Sequence, residues 1–336
     1  MKILLQTLSL FLLAVSLSTQ TKPQKYVVVK VEHGDEFVNK LNGLSDQGYR
    51  LLVGGRFAVL RLDATPPDTY RYLPIEGKGG PIQLTNWLNE QGARGYRRLP
   101  RTDLMEKAPH PRNYEYRYSP HGALGPSMGR ELSALVEEGY RPVDRVSFSH
   151  AIGSATEEMY FEHEVGKPAV ATRIPPGTEI KVADAMRAGS VMKHVDEFSH
   201  QGYRFLSSHH SNKGGGIAVM MEKCSEDCAG RYEYRYFDAK DAAQIEKELN
   251  AHGKDGYQVA PASLHSRPHL LERDSRQKRT FSYRVLVAKD APGLEQALNA
   301  PEQEGFVPLD YVWHIGFTAA AEFLVLEKET TASAAP

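Results

Sequence analysis

A step of seven residues from an apolar side chain to a glycine recurs six times along this chain of 336 residues, and no other feature constrains its fold as tightly. The pairs are Leu41 with Gly48, Leu88 with Gly95, Leu132 with Gly139, Val195 with Gly202, Leu249 with Gly256, and Leu298 with Gly305. Four residues before each first member stands Phe37, Leu84, Met128, Val191, Ile245 or Leu294, so every copy presents two knobs on one helical stripe. Each Gly is followed by Tyr, or by Phe306 in the last copy. A helix leaves its last carbonyls without partners, and a Gly just beyond it takes the left-handed conformation that lets following N–H groups satisfy them. The Gly–aromatic pairs therefore read as helix stops, with the ring folding back onto the helix. After the second knob comes Asn42, Asn89, Ser133, Asp196, Asn250 or Asn299, always short and polar. We read these as ties between helix and neighbouring loop.

Around each helix the pattern is strand, helix, strand, strand. The units run over 26–63, 69–107, 114–165, 169–223, 232–273 and 281–328, and a small-residue tail, 330–336, reads as disordered. The third opens with Tyr114, Tyr116 and Tyr118 alternating with Glu115 and Arg117, the period of a half-buried strand. The fourth reads as carrying an insertion, 175–190, before its helix. A unit of about 40 residues buries too little apolar surface to stand alone, so the copies must lean on one another. The fold class expected is α+β: six tandem repeats with mixed three-stranded sheets, each covered by one helix. Units either pair into three compact bodies or close into a propeller-like ring.

A second regularity is ionic. Aligned first strands give Lys30, Arg71, Arg117, Arg173, Arg235 and Arg284; last strands give Glu106, Glu162, Glu222, Glu272 and Glu327, with Arg61 in the first copy. Each base is expected to pair with the acid of its own sheet, a modest contribution of roughly 0.2–1 kcal/mol per pair. Alternatively the bases line a common channel for an anionic ligand. The near-equal recurrence of acids favours pairing.

Formal net charge is −1, which gives no field for steering nucleic acid. Lys2 followed by an apolar run from Ile3 to Leu17 reads as a secretory signal peptide, 1–18, cleaved near Ser18. The run is short of a membrane span, so the mature chain is expected in the periplasm or outside the cell, without a stable membrane anchor. Its two cysteines, Cys224 and Cys228, are expected to form a disulfide there. A metal reading lacks two further ligands at finger-like spacing.

In the fifth unit, Tyr232-Glu233-Tyr234-Arg235, Leu249-Asn250, Gly256-Tyr257 and Leu270-Leu271-Glu272-Arg273 together resemble a small bacterial domain of unknown function, about 50 to 60 residues long. This chain looks like six tandem copies of it, with Tyr or Phe where that family has Trp after the Gly. The resemblance implies no activity, cofactor or catalytic residue.

Nothing matches a phosphate loop, a zinc-protease helix or a nucleophile elbow, and Gly214-Gly215-Gly216 lacks the lysine a phosphate loop needs. Long hairpins are where repeat proteins vary and bind. Gathered on one side, Trp313, Tyr311, His265, His209, His210 and Phe148 would form an aromatic and imidazole-rich surface. Arg117, Arg235 and Arg284 are further binding candidates. The reading that follows is an exported, non-enzymatic binding or interaction scaffold, its partner an unidentified protein or cell-envelope component. The alternatives are an enzyme or anion binder with a site at a central axis, and a metal-handling protein using His209 and His210.

Overall fold

The computed structural model describes residues 24–331 except 33, 64–68, 76–78, 101, 120–125, 150–154, 167–178, 186–187, 211–216, 225–227, 239–240, 261–262, 266–268, 288 and 315–320. The leader at 1–18 and Arg173 lie outside these residues. Unit 1 comprises β1 (Tyr26–Lys30), α1 (Asp35–Ser45), β2 (Tyr49–Val53) and β3 (Phe57–Leu62). Unit 2 has β4 (Arg71–Pro74), α2 (Pro81–Ala93), β5 (Tyr96–Arg98) and β6 (Leu104–Lys107), and unit 3 has β7 (Tyr114–Ser119), α3 (Pro126–Glu137), β8 (Arg141–Ser149) and β9 (Ala155–Glu164). Unit 4 has β10 (Ile180–Ala185), α4 (Ala188–His200), β11 (Tyr203–His210) and β12 (Ile217–Lys223). Unit 5 has β13 (Tyr232–Phe237), α5 (Ala242–Lys254), β14 (Gln258–Val259), a 3-10 turn at Ser263–His265 and β15 (His269–Asp274). Unit 6 has β16 (Arg279–Val287), α6 (Ala291–Leu298), β17 (Val307–His314) and β18 (Ala321–Thr331).

The chain is thus α+β, six units each with one helix and one three-stranded sheet. All six repeated glycines have positive φ, between 82° and 93°, as a left-handed helix stop requires. First and second strands run in one direction as the crossover predicts, but the third lies between them, so every bonded pair is antiparallel. The segment read as an insertion in unit 4 contains its first strand, β10. Thr330 and Thr331, placed in the tail from sequence, extend β18 against Thr280 and Arg279.

Each helix packs against the first strand of the following unit: α1 on β4, α2 on β7, α3 on β10, α4 on β13, α5 on β16, and α6 back on β1. The cores follow the same plan. Each of six apolar clusters is shared by consecutive units, and one unites Leu294, Leu298 and Tyr311 of unit 6 with Tyr26, Val28 and Phe57 of unit 1. Of the two arrangements open from sequence, the contacts give the ring.

The short polar residue after each helical knob explains the docking. Asn89 Nδ2 donates to the Tyr116 carbonyl (3.1 Å) while its Oδ1 accepts from the Tyr116 N–H (2.6 Å). Asn42 does the same to Tyr72, Asn250 to Tyr283, and Asn299 to Tyr26 across the ring closure. An asparagine side chain carries the donor and acceptor of a peptide group, so it occupies one position of a neighbouring strand and seals an otherwise open edge. These are ties between units, not between a helix and its loop. In two helices a glycine three residues further on permits the approach: a Cβ on Gly92 would lie 2.2 Å from the Tyr114 carbonyl oxygen, and one on Gly253 2.3 Å from that of Phe281.

Candidate functional site

The recurring charges are spent at the joints. Tyr72 stands directly opposite Glu106 in the sheet, Tyr116 opposite Glu162, Tyr234 opposite Glu272, and Tyr283 opposite Glu327. Each hydroxyl donates to its glutamate and accepts the outward N–H of the preceding unit's second strand, Leu51, Arg98, Phe205 or Val259. An arginine of that strand completes the group: Arg50 on Glu106 (2.9 Å), Arg97 on Glu162 (2.8 Å) and Arg204 on Glu272 (2.7 Å). At these four joints the second-strand edge of one unit is therefore closed by the next. At Glu162 burial raises the carboxyl pKa and Arg97 pulls it back only in part. The four buried phenols are raised by burial and then by their glutamates, which keeps them neutral donors.

The expected pairing of first-strand bases with those glutamates does not occur. The glutamates face tyrosines, so residues one step along the strand point to the other face. Arg71 pairs with Asp46 (2.7 Å), Arg117 with Glu138 (2.5 Å), Arg235 with Asp255 (2.9 Å), and Arg284 with Glu246 (3.0 Å). Lys30 pairs with Glu32 at 3.5 Å. The sheet register also shifts the alignment: the residue matching Arg117, one past the sealed position, is Lys181 in unit 4, whereas Arg71 matches Glu115.

In units 3, 4 and 5 that other face carries a clamp on the Gly–Tyr corner. Tyr140 donates to Glu115 (3.2 Å), Tyr203 to Glu179 (2.5 Å) and Tyr257 to Glu233 (3.1 Å). A cation lies over each ring, Arg117, Lys181 and Arg235, at 4.5, 4.6 and 4.3 Å from the centroid. Glu179 and Lys181 were missed because unit 4 has Ile180 in place of the marker tyrosine. Their distance from Gly202 matches that of Glu115 from Gly139 to within a residue and could have located them.

Beside two of these clamps lie open grooves, at equivalent joints. One, of about 630 Å³, runs between the Thr85/Asn89/Ala93 stripe of α2 and residues 114–117 of β7, with Tyr140 at its end. The other, of about 380 Å³, lies between Asp196, Ser199 and His200 of α4 and residues 232–235 of β13, with Tyr257. Arg117 and Arg235, singled out from sequence, each line one groove. The offered chemistry is carboxylate, guanidinium, amide and phenol. Among the described residues no group of three His, Cys, Asp or Glu is arranged to hold a metal ion.

The hairpin residues are placed differently. Tyr311 belongs to the buried core joining units 6 and 1, its hydroxyl donating to the Phe57 carbonyl at 3.0 Å, so it is no surface residue. Trp313 is paired with Glu322 near the hairpin end of β17, and that strand touches the 3-10 turn holding His265. His209 and His210 pair with Ala218 and Ile217 at the hairpin end of unit 4, and Phe148 with Thr156 in unit 3. The side chains of Trp313, His265, His209, His210 and Phe148 lie outside the described ones. Cys224 and Cys228 stand at disulfide distance, their Cα atoms 6.2 Å apart. No helix of the described residues is long and apolar enough to cross a membrane. Comparison with protein-family models, with curated proteins and with solved structures finds no match.

Proposed function

We propose that this is an exported, non-enzymatic binding scaffold, built from six copies of the small bacterial domain its sequence resembles, that engages a protein or cell-envelope component through the grooves at the 2/3 and 4/5 joints. The observation that carries the reading is the assignment of polar side chains. The recurrent Arg, Glu, Tyr and Asn side chains engage one another between units, and the two grooves repeat one chemistry at equivalent places. Two equivalent sites on one chain favour a repetitive or bivalent partner through effective concentration. Export rests on the leader-like 1–18 segment and agrees with the cysteine pair. The alternative, an enzyme or anion binder at a central axis, draws on Arg117, Arg235 and Arg284, which are already engaged by acidic side chains.

The test fills both grooves from their exposed helical side. Ala93→Trp with His200→Trp adds bulk without touching a joint, and immobilised wild type and variant are presented with native envelope extract. Retention of specific components by wild type and their loss from the variant is the expected result; an identical retained set would contradict the groove assignment.

A further inference from the structure

The joint between units 4 and 5 departs from the others in two ways, both on the seam where α4 meets β13. Asp196 stands where Asn42, Asn89, Asn250 and Asn299 seal the following strand, and an ionised carboxylate has no N–H to give the Tyr234 carbonyl. Asp196 is exposed, whereas those four asparagines and Ser133 are half-buried. The groove of this joint, counterpart of the one between units 2 and 3, is lined by Asp196, Ser199 and Tyr234 among others, and the Ser199 hydroxyl donates to the Tyr232 carbonyl beside it. The second departure is the cysteine pair, in the connection from β12 to β13. Cys228 is buried in the core shared by units 4 and 5, with Cys224 and Phe198 of α4 packed against the same cluster. The connection is also pinned to the end of α4: the Gly230 N–H donates to the Ser199 carbonyl (3.1 Å) and the Cys224 N–H to that of Gly202 (3.0 Å).

We propose that the Cys224–Cys228 disulfide holds the α4–β13 seam in place of the absent amide tie, making this one joint of the ring responsive to thiol reductants. A dithiol attacks Sγ of the half-buried Cys224 and expels the Cys228 thiolate; its second thiol then resolves the mixed disulfide. The dithiol gives up two electrons and two protons and leaves as a disulfide, and both cysteines end as thiols. The connection thereby loses its cross-link and its hold on the end of α4, and the edge of β13 at Tyr234, beyond the Ser199–Tyr232 tie, meets water. On the other side of the joint Arg204, Glu272 and Tyr234 stay bonded, so the seam opens while the units remain attached.

Hydrogen exchange on the intact chain, with and without dithiothreitol, tests this. Reduction should speed exchange of the Gly230 amide, which bonds the Ser199 carbonyl at the end of α4, by roughly tenfold or more and leave the amides of Tyr116 and Tyr283, sealed by Asn89 and Asn250, unchanged. Cys224→Ser with Cys228→Ser should reproduce the reduced pattern without reductant. Asp196→Asn supplies an amide that can bond both the N–H and the C=O of Tyr234, so in the reduced Asp196→Asn protein the seam should close and the Gly230 amide should be slow again. Exchange at Gly230 indifferent to reduction, equal acceleration at all joints, or no rescue by Asp196→Asn would each overturn the proposal.

Discussion

An asparagine that substitutes for one residue of a missing strand is the smallest part on which the assembly depends. Asn250→Ala removes both hydrogen bonds to Tyr283, besides one to the Glu246 carbonyl, and leaves the N–H and C=O of Tyr283 without those partners. Urea unfolding should show a loss of about 1–3 kcal/mol, whereas alanine at exposed Asn86 should change little. The buried ion pairs are a second test. Glu272 is 1% exposed and Arg204 27%, so Glu272→Gln leaves a partly shielded guanidinium without its counter-charge. The expected cost is about 2–3 kcal/mol, below that of a fully buried pair because Arg204 reaches water. Glu327 differs, since Gln258 occupies the place of the arginine and burial raises its carboxyl pKa. A carboxyl whose pKa is higher folded than unfolded binds its proton more tightly in the folded state. Its contribution is therefore full below the unfolded value and lost as pH rises through the folded one. Wild type should gain stability relative to Glu327→Gln as pH falls from about 8 to about 4; a difference independent of pH would contradict this.

Among the elements, helices were legible and strand partners were not. The Gly stop is local chemistry, set by the left-handed conformation of one residue, and Gly48, Gly95, Gly139, Gly202, Gly256 and Gly305 all adopt it. The knobs at four-residue spacing were equally readable, and Leu41, Leu88, Leu132, Val195 and Leu249 are fully buried. The first strand of unit 4 was misplaced because Ile180 stands where most units have tyrosine, and the Arg–Glu pairing failed because a shift of one residue moves a side chain to the opposite face. Close helix–strand contact also left a signal that is easily overlooked, a glycine inside a helix. Gly253→Ala would force its methyl against the Phe281 carbonyl, so α5 must move away from β16 despite the better helix propensity of alanine. Its Tm should fall, while Gly43→Ala, which meets nothing within 4 Å, should leave Tm unchanged or raise it.

Over the whole molecule, the sequence announced six units but not how they are joined, since joints are contacts between residues as distant as Tyr26 and Asn299. The candidate grooves were half legible. Arg117 and Arg235 were recognised from their repeated strands, whereas the helix stripes opposite them emerge only once α2 and α4 are seated on the next unit. Closure has a physical reason: an open row of six would leave β1 with a bare edge and α6 with an apolar face and no strand to cover, and docking one on the other resolves both. Here Arg61 and Val307 stand where the 1/2, 2/3 and 4/5 joints have glutamate and arginine, so the closing joint rests on its apolar core and the Asn299 and Glu295 ties. Native-state hydrogen exchange at the Tyr26 amide tests the ring most directly. Closure predicts protection comparable to that of the Tyr72, Tyr116 and Tyr283 amides, lost in Asn299→Ala; exchange at the rate of a free strand edge in the intact chain would contradict it.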